Sequence, residues 1–225
     1  SNKAASGPRI VERILAGETC ALVSDAGSPA ISDPGEDLVR LCAEAGVTVS
    51  AIPGPCAAIT ALSMSGLPTG RFTFEGFLST TKKNRAQHLD SLRAEQRTMI
   101  FYEAPHKLCA TLRDLAAAFG GERRISLCRE LTKLHEEVLR LTLDGAVAYY
   151  ETQPPRGEYV LIVEGAPKQQ ESGPVSEEEA LMRVQALLAE GLSRKDAVRQ
   201  VAAETGLAKN QLYDAALRAQ HTETE

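Results

Sequence analysis

The sequence predicts an α/β protein in two parts, a parallel-sheet first domain and a mixed-sheet second domain, followed by a helical tail. Three observations carry that reading. Between residues 8 and 66, amphipathic helices alternate with short, continuous apolar runs, the pattern of strands covered on both faces of a parallel sheet. Residues 71–164 hold five β-rich runs with shorter connections, which suits a mixed sheet. Beyond residue 177 the apolar residues recur only at helical spacing.

Each element follows from local chemistry. Gly7-Pro8 leads into a helix over 8–17 with proline in its first turn. The run 20–24 reads as a strand, and 36–45 (EDLVRLCAEA) as a helix stopped by Gly46. VTVSAI at 47–52 reads as a second strand, and a helix over 56–65 ends at Gly66. Right-handed crossovers place the C-terminal ends of both strands on one edge, from which loops 24–35 and 53–57 depart. Ligands of open α/β sheets bind at such an edge.

The second domain, 71–166, takes strands at 71–77, 97–102, 124–130, 137–143 and 158–164, with helices at 85–95, 106–119 and 144–152. Thr80 to Arg85 reads as a basic loop before the first of these helices. Residues 167–176, polar with Pro and Gly, read as a linker. The tail, 177–220, takes helices at 177–190, 194–204 and 208–219; Ser193 and Asp196 resemble a capping box, and Ala197, Val198 and Val201 are expected to pack toward Leu207 and Leu212. Its spacing suits either a helix-turn-helix on nucleic acid or a plain small bundle. Residues 1–70 would form the first domain, and Ser1-Asn2 resembles a cloning remnant.

A net charge of −5 excludes a global basic field, though not a local basic patch. The five cysteines, odd in number and without a CxxC pair, read as small buried hydrophobes of a cytoplasmic protein rather than disulfides or a zinc framework. No His/Cys/Asp cluster has metal spacing.

The stretch VSDAGSPAISDPG (23–35) is too rich in backbone-exposing residues for a plain connector. Asp25 reads as a ligand contact, whereas Asp33 reads as an Asx-turn and cap for the helix at 36–45. Pro53-Gly54-Pro55-Cys56-Ala57-Ala58 leaves room at a helix N-terminus for a flat ligand or a carboxylate. Neither loop is a GxGxxG or GxxxxGK phosphate cradle. Tyr102-Glu103-Ala104-Pro105-His106 and Arg129 to Glu137 each gather polar side chains after a strand, suited to acid–base work or to holding a cation. His106 reads equally as a helix-capping residue.

VSDAGSPAISDPG, IPGPCAAITALSMSGLP, FTFEGFL, IFYEAPHK, RELTKLHEE and GEYVLIVEG occur in this order between about residues 8 and 166. Together they resemble the bacterial 16S ribosomal RNA (cytidine) 2'-O-methyltransferases of the tetrapyrrole methylase superfamily. The resemblance implies a tetrapyrrole-methylase-like two-domain fold and S-adenosyl-L-methionine as cofactor in the cleft between the domains. Asp25, Ala26 and Gly27 would line its floor, and Pro53, Gly54, Cys56, Ala57 and Ala58 the opposite wall. Tyr102, Leu131 and Glu158 would close over it. The family more often has Ser where this chain has Cys56.

The implied reaction is methylation of a ribose 2'-hydroxyl within the small ribosomal subunit, with Glu103, Lys133 and Glu136 as candidate catalytic residues and His106 in reserve. Lys82, Lys83 and Arg85 would meet RNA phosphates. The implied assembly is a homodimer, with no metal and no membrane. The family opens with a strand and loop close to TPIGNL and an EDTR-like run, neither of which occurs here, so an N-terminally truncated chain with weakened cofactor binding is expected. A corrin-precursor methylase and a non-catalytic nucleic-acid binder are the rival readings. The YEAPHK and RELTKLHEE motifs argue against the first, and the two-domain cleft against the second.

Overall fold

Among the described residues, strand-forming runs pair only from Phe72 onward. The computed structural model describes residues 3–167 and 176–222, with side chains for 6–167 and 176–217. Most of the expected linker, 168–175, lies outside the described residues, as do Ser1 and Asn2. Two compact units result, residues 1–167 and 168–225.

In the first unit, α1 (Lys3–Leu15), α2 (Glu36–Glu44) and α3 (Ala57–Ser65) precede every strand. The helix expected at 8–17 begins instead at Lys3 and carries Pro8 inside it. The expected strands at 20–24 and 47–52 carry no strand assignment, so the parallel sheet expected of this region is not formed among the described residues. A strand exists through its ladder, and these segments meet no neighbouring strand among the described residues. Accordingly Val23 is 82% exposed and Ile52 93%.

The sheet contains β1 (Phe72–Phe77), β2 (Thr98–Glu103), β3 (Arg124–Arg129), β4 (Glu137–Thr142) and β5 (Tyr159–Val163), in the order β1-β2-β5-β3-β4. Only β1 and β2 run parallel, with a register shift at Phe74/Gly76; the other pairings are antiparallel. Every β5 residue is buried, as expected of VLIV at the centre of a sheet covered on both faces.

Side-chain alternation along β2 divides the core. Met99 and Phe101 join Leu127 and Leu161 in a cluster with Leu108, Leu112 and Leu115 of α5 (Pro105–Phe119) and with Leu143 and Ala146 of α6 (Leu143–Thr152). Ile100 and Ile162 point the other way, onto Ala58, Ala61 and Leu62 of α3. The result is a three-layer α/β/α arrangement. Its α3 is short and alanine-rich, so its N-terminus comes close to the sheet.

The second unit comprises α7 (Glu177–Ala189), α8 (Arg194–Thr205) and α9 (Lys209–Thr222). Ser193 Oγ accepts from Asp196 N at 3.2 Å and donates to Asp196 Oδ2 at 2.6 Å, so the expected cap is present. Gly206 ends α8 at φ 74°, where a side chain would be strained. Ala197, Val198, Val201 and Leu212 form the core, with Leu207 partly buried against it.

Candidate active site

Two loops of the first unit are joined through their backbones. Ser28 N donates to Pro55 O at 2.9 Å, and Ser28 Oγ reaches the same oxygen at 3.3 Å. Gly27 has φ +72°, and a Cβ there would stand 3.0 Å from Pro55 O. Glycine is thus required twice over, for conformation and for contact. Asp25, Ala26 and Gly27 are exposed beside this junction. Asp33 accepts from Ser24 Oγ at 2.5 Å and so cross-links the loop. It does not cap α2, whose N-cap is Gly35 without any side-chain cap bond, because the chain reaches the helix through a positive-φ glycine rather than an Asx-turn.

The N-terminus of α3 lies against this junction. Its N-cap Cys56 is extended and makes no side-chain cap bond. The capping role falls to Tyr102 at the end of β2, whose hydroxyl accepts from Ala58 N at 3.1 Å. Phe74 and Phe77 set the tyrosine ring edge-on, with centroids 5.1 and 5.6 Å away. Burial raises the Tyr102 pKa, with the nearby Cys56 adding to the effect, so the hydroxyl stays protonated. Leu131 packs against the same cluster as Cys56 and Tyr102. The 24–35 loop, the 53–58 turn and Tyr102 thus meet at one helix start, with Leu131 packed on the adjoining apolar cluster.

The turn 130–136 is rigid by construction. Lys133 Nζ lies 3.1 Å from Glu130 Oε1 and 3.5 Å from Glu158 Oε2, and both contacts raise its pKa. Glu136 Oε2 accepts from Thr132 N at 2.7 Å, bracing the turn from within. Leu134 is 93% exposed at the tip. Glu130 and Thr132 have φ of 50° and 66°, and Ala30 and Ser32 have 67° and 59°. All four positive-φ non-glycine residues among those described thus fall in two loops, 24–35 and 130–136. Such strain persists where surrounding structure imposes it, and it clusters at functional sites.

Other candidates are placed differently. Glu103 is 4% exposed, with its carboxylate accepting from Ala104 N at 2.9 Å and Thr111 Oγ1 at 2.5 Å. That enclosure makes it a brace between β2 and α5, not a base open to substrate. His106 is exposed on the first turn of α5. Lys82, Lys83 and Arg85 lie not in a loop but in the first turn of α4 (Lys82–Ser91), because Thr81 adopts the extended N-cap conformation. Arg85 folds inward onto Asp114 Oδ2 at 2.6 Å and Thr111 Oγ1 at 2.8 Å. Lys82 and Lys83 remain exposed. Cys20 is exposed, against the expectation of buried cysteines, since its segment has no strand partner.

A cavity of about 600 Å³ opens beside loop 24–35, lined by Ile31, Ser32, Glu36, Val39, Phe74 and Glu75 among others. Among the described residues, no group of three His, Cys, Asp or Glu side chains could hold a metal ion. No helix among them is long and apolar enough to cross a membrane. Sequence reasoning met Glu130 only as one member of the Arg129–Glu137 run and missed Thr111 and Asp114, whose roles come from contacts that spacing does not encode.

Known proteins resemble this chain in sequence and in fold. The chain belongs to the family of tetrapyrrole (corrin/porphyrin) methylases, whose profile matches residues 2–147. A second profile, described as the RsmI C-terminal HTH domain, matches residues 175–220. Within the family, the chain groups with the ribosomal RNA small subunit methyltransferases I. It is 49% identical to that protein of Synechocystis over 208 residues, 92% of this chain and 74% of the relative. Against that of Escherichia coli O157:H7 it is 43% identical over 221 residues, 97% of this chain and 76% of the relative. The crystal structure of the methyltransferase CobJ shares the fold, with a TM-score of 0.55 at 20% identity over 71% of this chain and 70% of that one.

Proposed function

We propose that the chain is an S-adenosyl-L-methionine-dependent 2'-O-methyltransferase for the ribose of a cytidine in the decoding region of 16S ribosomal RNA. The observation that carries this reading is identity of 43–49% with proteins named ribosomal RNA small subunit methyltransferase I. In the proposed division, residues 1–70 serve the cofactor, 71–166 the transfer and 177–220 the helix-turn-helix. The resemblance extends the reading to a cytoplasmic homodimer acting on assembled small subunits.

The residues present fit the cofactor's chemistry. The start of α3 carries only small side chains, Ala57 and Ala58, and no side-chain cap from Cys56, which suits a carboxylate. Asp25 has no hydrogen bond or ion pair among the described residues and is free to take an ammonium or ribose hydroxyls. Pro53, Gly54, Tyr102, Leu131 and Glu158 would complete the enclosure. When bound, S-adenosyl-L-methionine supplies a methyl group on a sulfonium, a good leaving group. The protein's work is then positioning and exclusion of water.

The ribose hydroxyl is a weak nucleophile at neutral pH, and its oxygen gains negative character as its proton leaves. Lys133 offers a positive charge for that oxygen. Glu158, 3.5 Å from the Lys133 ammonium, and Glu136 in the same turn are the carboxylates through which the proton would pass, with His106 on α5 in reserve. Lys82 and Lys83 face solvent at a helix N-terminus, where cations are unfavourable for the helix but attractive to phosphate.

Calorimetric titration with S-adenosyl-L-methionine, followed by methyl transfer to purified small subunits, tests the reading. Asp25→Ala should weaken cofactor binding by about 1–3 kcal/mol. Unchanged affinity would return Asp25 to a turn-forming role, and methylation of a corrin precursor instead of subunits would overturn the substrate.

A further inference from the structure

Glu130 stands where the strained turn meets the entry to β5. Its N–H donates to Glu158 O at 3.3 Å, and its own carbonyl accepts from Lys133 N at 3.0 Å. One carboxylate oxygen, Oε1, accepts from both Glu158 N and Lys133 Nζ, each at 3.1 Å. The side chain lies across Gly157, at φ +74°, where an added Cβ would fall 2.5 Å from that oxygen. Backbone, carboxylate and glycine are therefore fitted to one another at a single point.

Folding alone gives little reason for this fit. The Lys133 side chain is 52% exposed, so its ion pairs add little to stability. Yet the turn keeps two non-glycine residues at positive φ and holds its cation in one place. Holding a charged group in advance is how a site avoids reorganisation at the moment of reaction.

We propose that Glu130 is a positioning residue for methyl transfer: it locks the 130–136 turn onto residues 157–158 and fixes the Lys133 ammonium where the incoming ribose hydroxyl would meet it. The inference rests on the reading of the chain as an RNA 2'-O-methyltransferase. Gly157 is the counterpart of Glu130, since only an absent side chain leaves its carboxylate room. The lowered pKa of Glu130, caused first by the Glu158 backbone and then by Lys133, keeps the carboxylate ionised and the lock closed.

The test compares Glu130→Gln, Gly157→Ala and Lys133→Met with the unmutated chain. Lysine NMR titration should find Lys133 above an ordinary lysine, and Glu130→Gln should bring it down. In methyl transfer to small subunits, Glu130→Gln and Gly157→Ala should lower kcat at least tenfold, with KM for S-adenosyl-L-methionine within twofold. Lys133→Met, a surface change that leaves the fold intact, should lose as much, and Glu130→Gln added to it should lose no more. A Lys133 titration indifferent to Glu130→Gln overturns the positioning role, as does full kcat in that variant. Full activity of Lys133→Met overturns it from the other side. An unmutated chain that transfers no methyl, while its Lys133 still responds to Glu130→Gln, overturns the functional reading and the inference with it.

Discussion

Replacing Tyr102 with Phe removes one oxygen and leaves the ring. The Ala58 N–H, on a residue 4% exposed, then loses the partner that holds it at 3.1 Å. Cys56 offers no side-chain cap in exchange. A buried donor left unsatisfied costs about 1–3 kcal/mol. The edge contacts to Phe74 and Phe77 survive, so the loss is confined to the hydroxyl. For a unit of this size each kcal/mol moves Tm by about 2–4 °C, giving an expected fall of about 2–12 °C. Circular dichroism melts and urea midpoints with unchanged slope would record it. A second arm sharpens the test. Ser at position 56 brings its own acceptor to Ala58 or Ile59 N–H, so Tyr102→Phe should cost about 0.5–1 kcal/mol less in a Cys56→Ser background. No loss in the first background, or equal loss in both, would refute the idea that Tyr102 caps α3.

Further outcomes are expected elsewhere. Thr111 is 1% exposed and links Arg85 to Glu103; Thr111→Val should cost about 1–3 kcal/mol in urea unfolding, because a guanidinium and a buried carboxylate each lose a partner. Glu95 is held at a pKa of about 2, mainly by hydrogen bonds from the Arg97 side chain and backbone. Its folded pKa lies below the unfolded value, so its contribution is present above pH 4.5 and lost as pH falls toward about 2. Glu95→Gln should erase that part of the acid dependence of stability. Replacing Lys82 and Lys83 with Ala should weaken binding to small subunits and flatten its salt dependence, leaving cofactor affinity unchanged. Loss of cofactor affinity with subunit binding intact would reverse that assignment.

What could be read from the sequence was whatever has a period or a fixed spacing. Met99, Ile100 and Phe101 announce a strand buried on both faces, and Ala197, Val198 and Val201 announce a helical core; both are present. The segments at 20–24 and 47–52 look equally apolar, but a run of β-formers says nothing about whether a neighbour exists to pair with it. The junction of Gly27 with Pro55 O was legible as two loops rich in small residues, not as a contact. Glu103 was legible as a polar residue at a strand end, yet its burial depends on Thr111, eight residues away across a helix turn. Positive φ at Glu130 and Thr132 leaves no trace in composition, since neither residue favours it.

The two walls around the start of α3 differ in how they resist opening. On one side stand β2 and β5, whose residues 99–103 and 159–163 are tied by a full ladder at the centre of the sheet. On the other, residues 18–24 and 47–56 spend few backbone groups on one another. Local unfolding should therefore begin at the floor of the site and stop at the sheet. Amide protons of the Asp25 loop would exchange early and those of β5 late. A ligand bridging the two walls would report itself first as slowed exchange in the loop, with the strands unmoved.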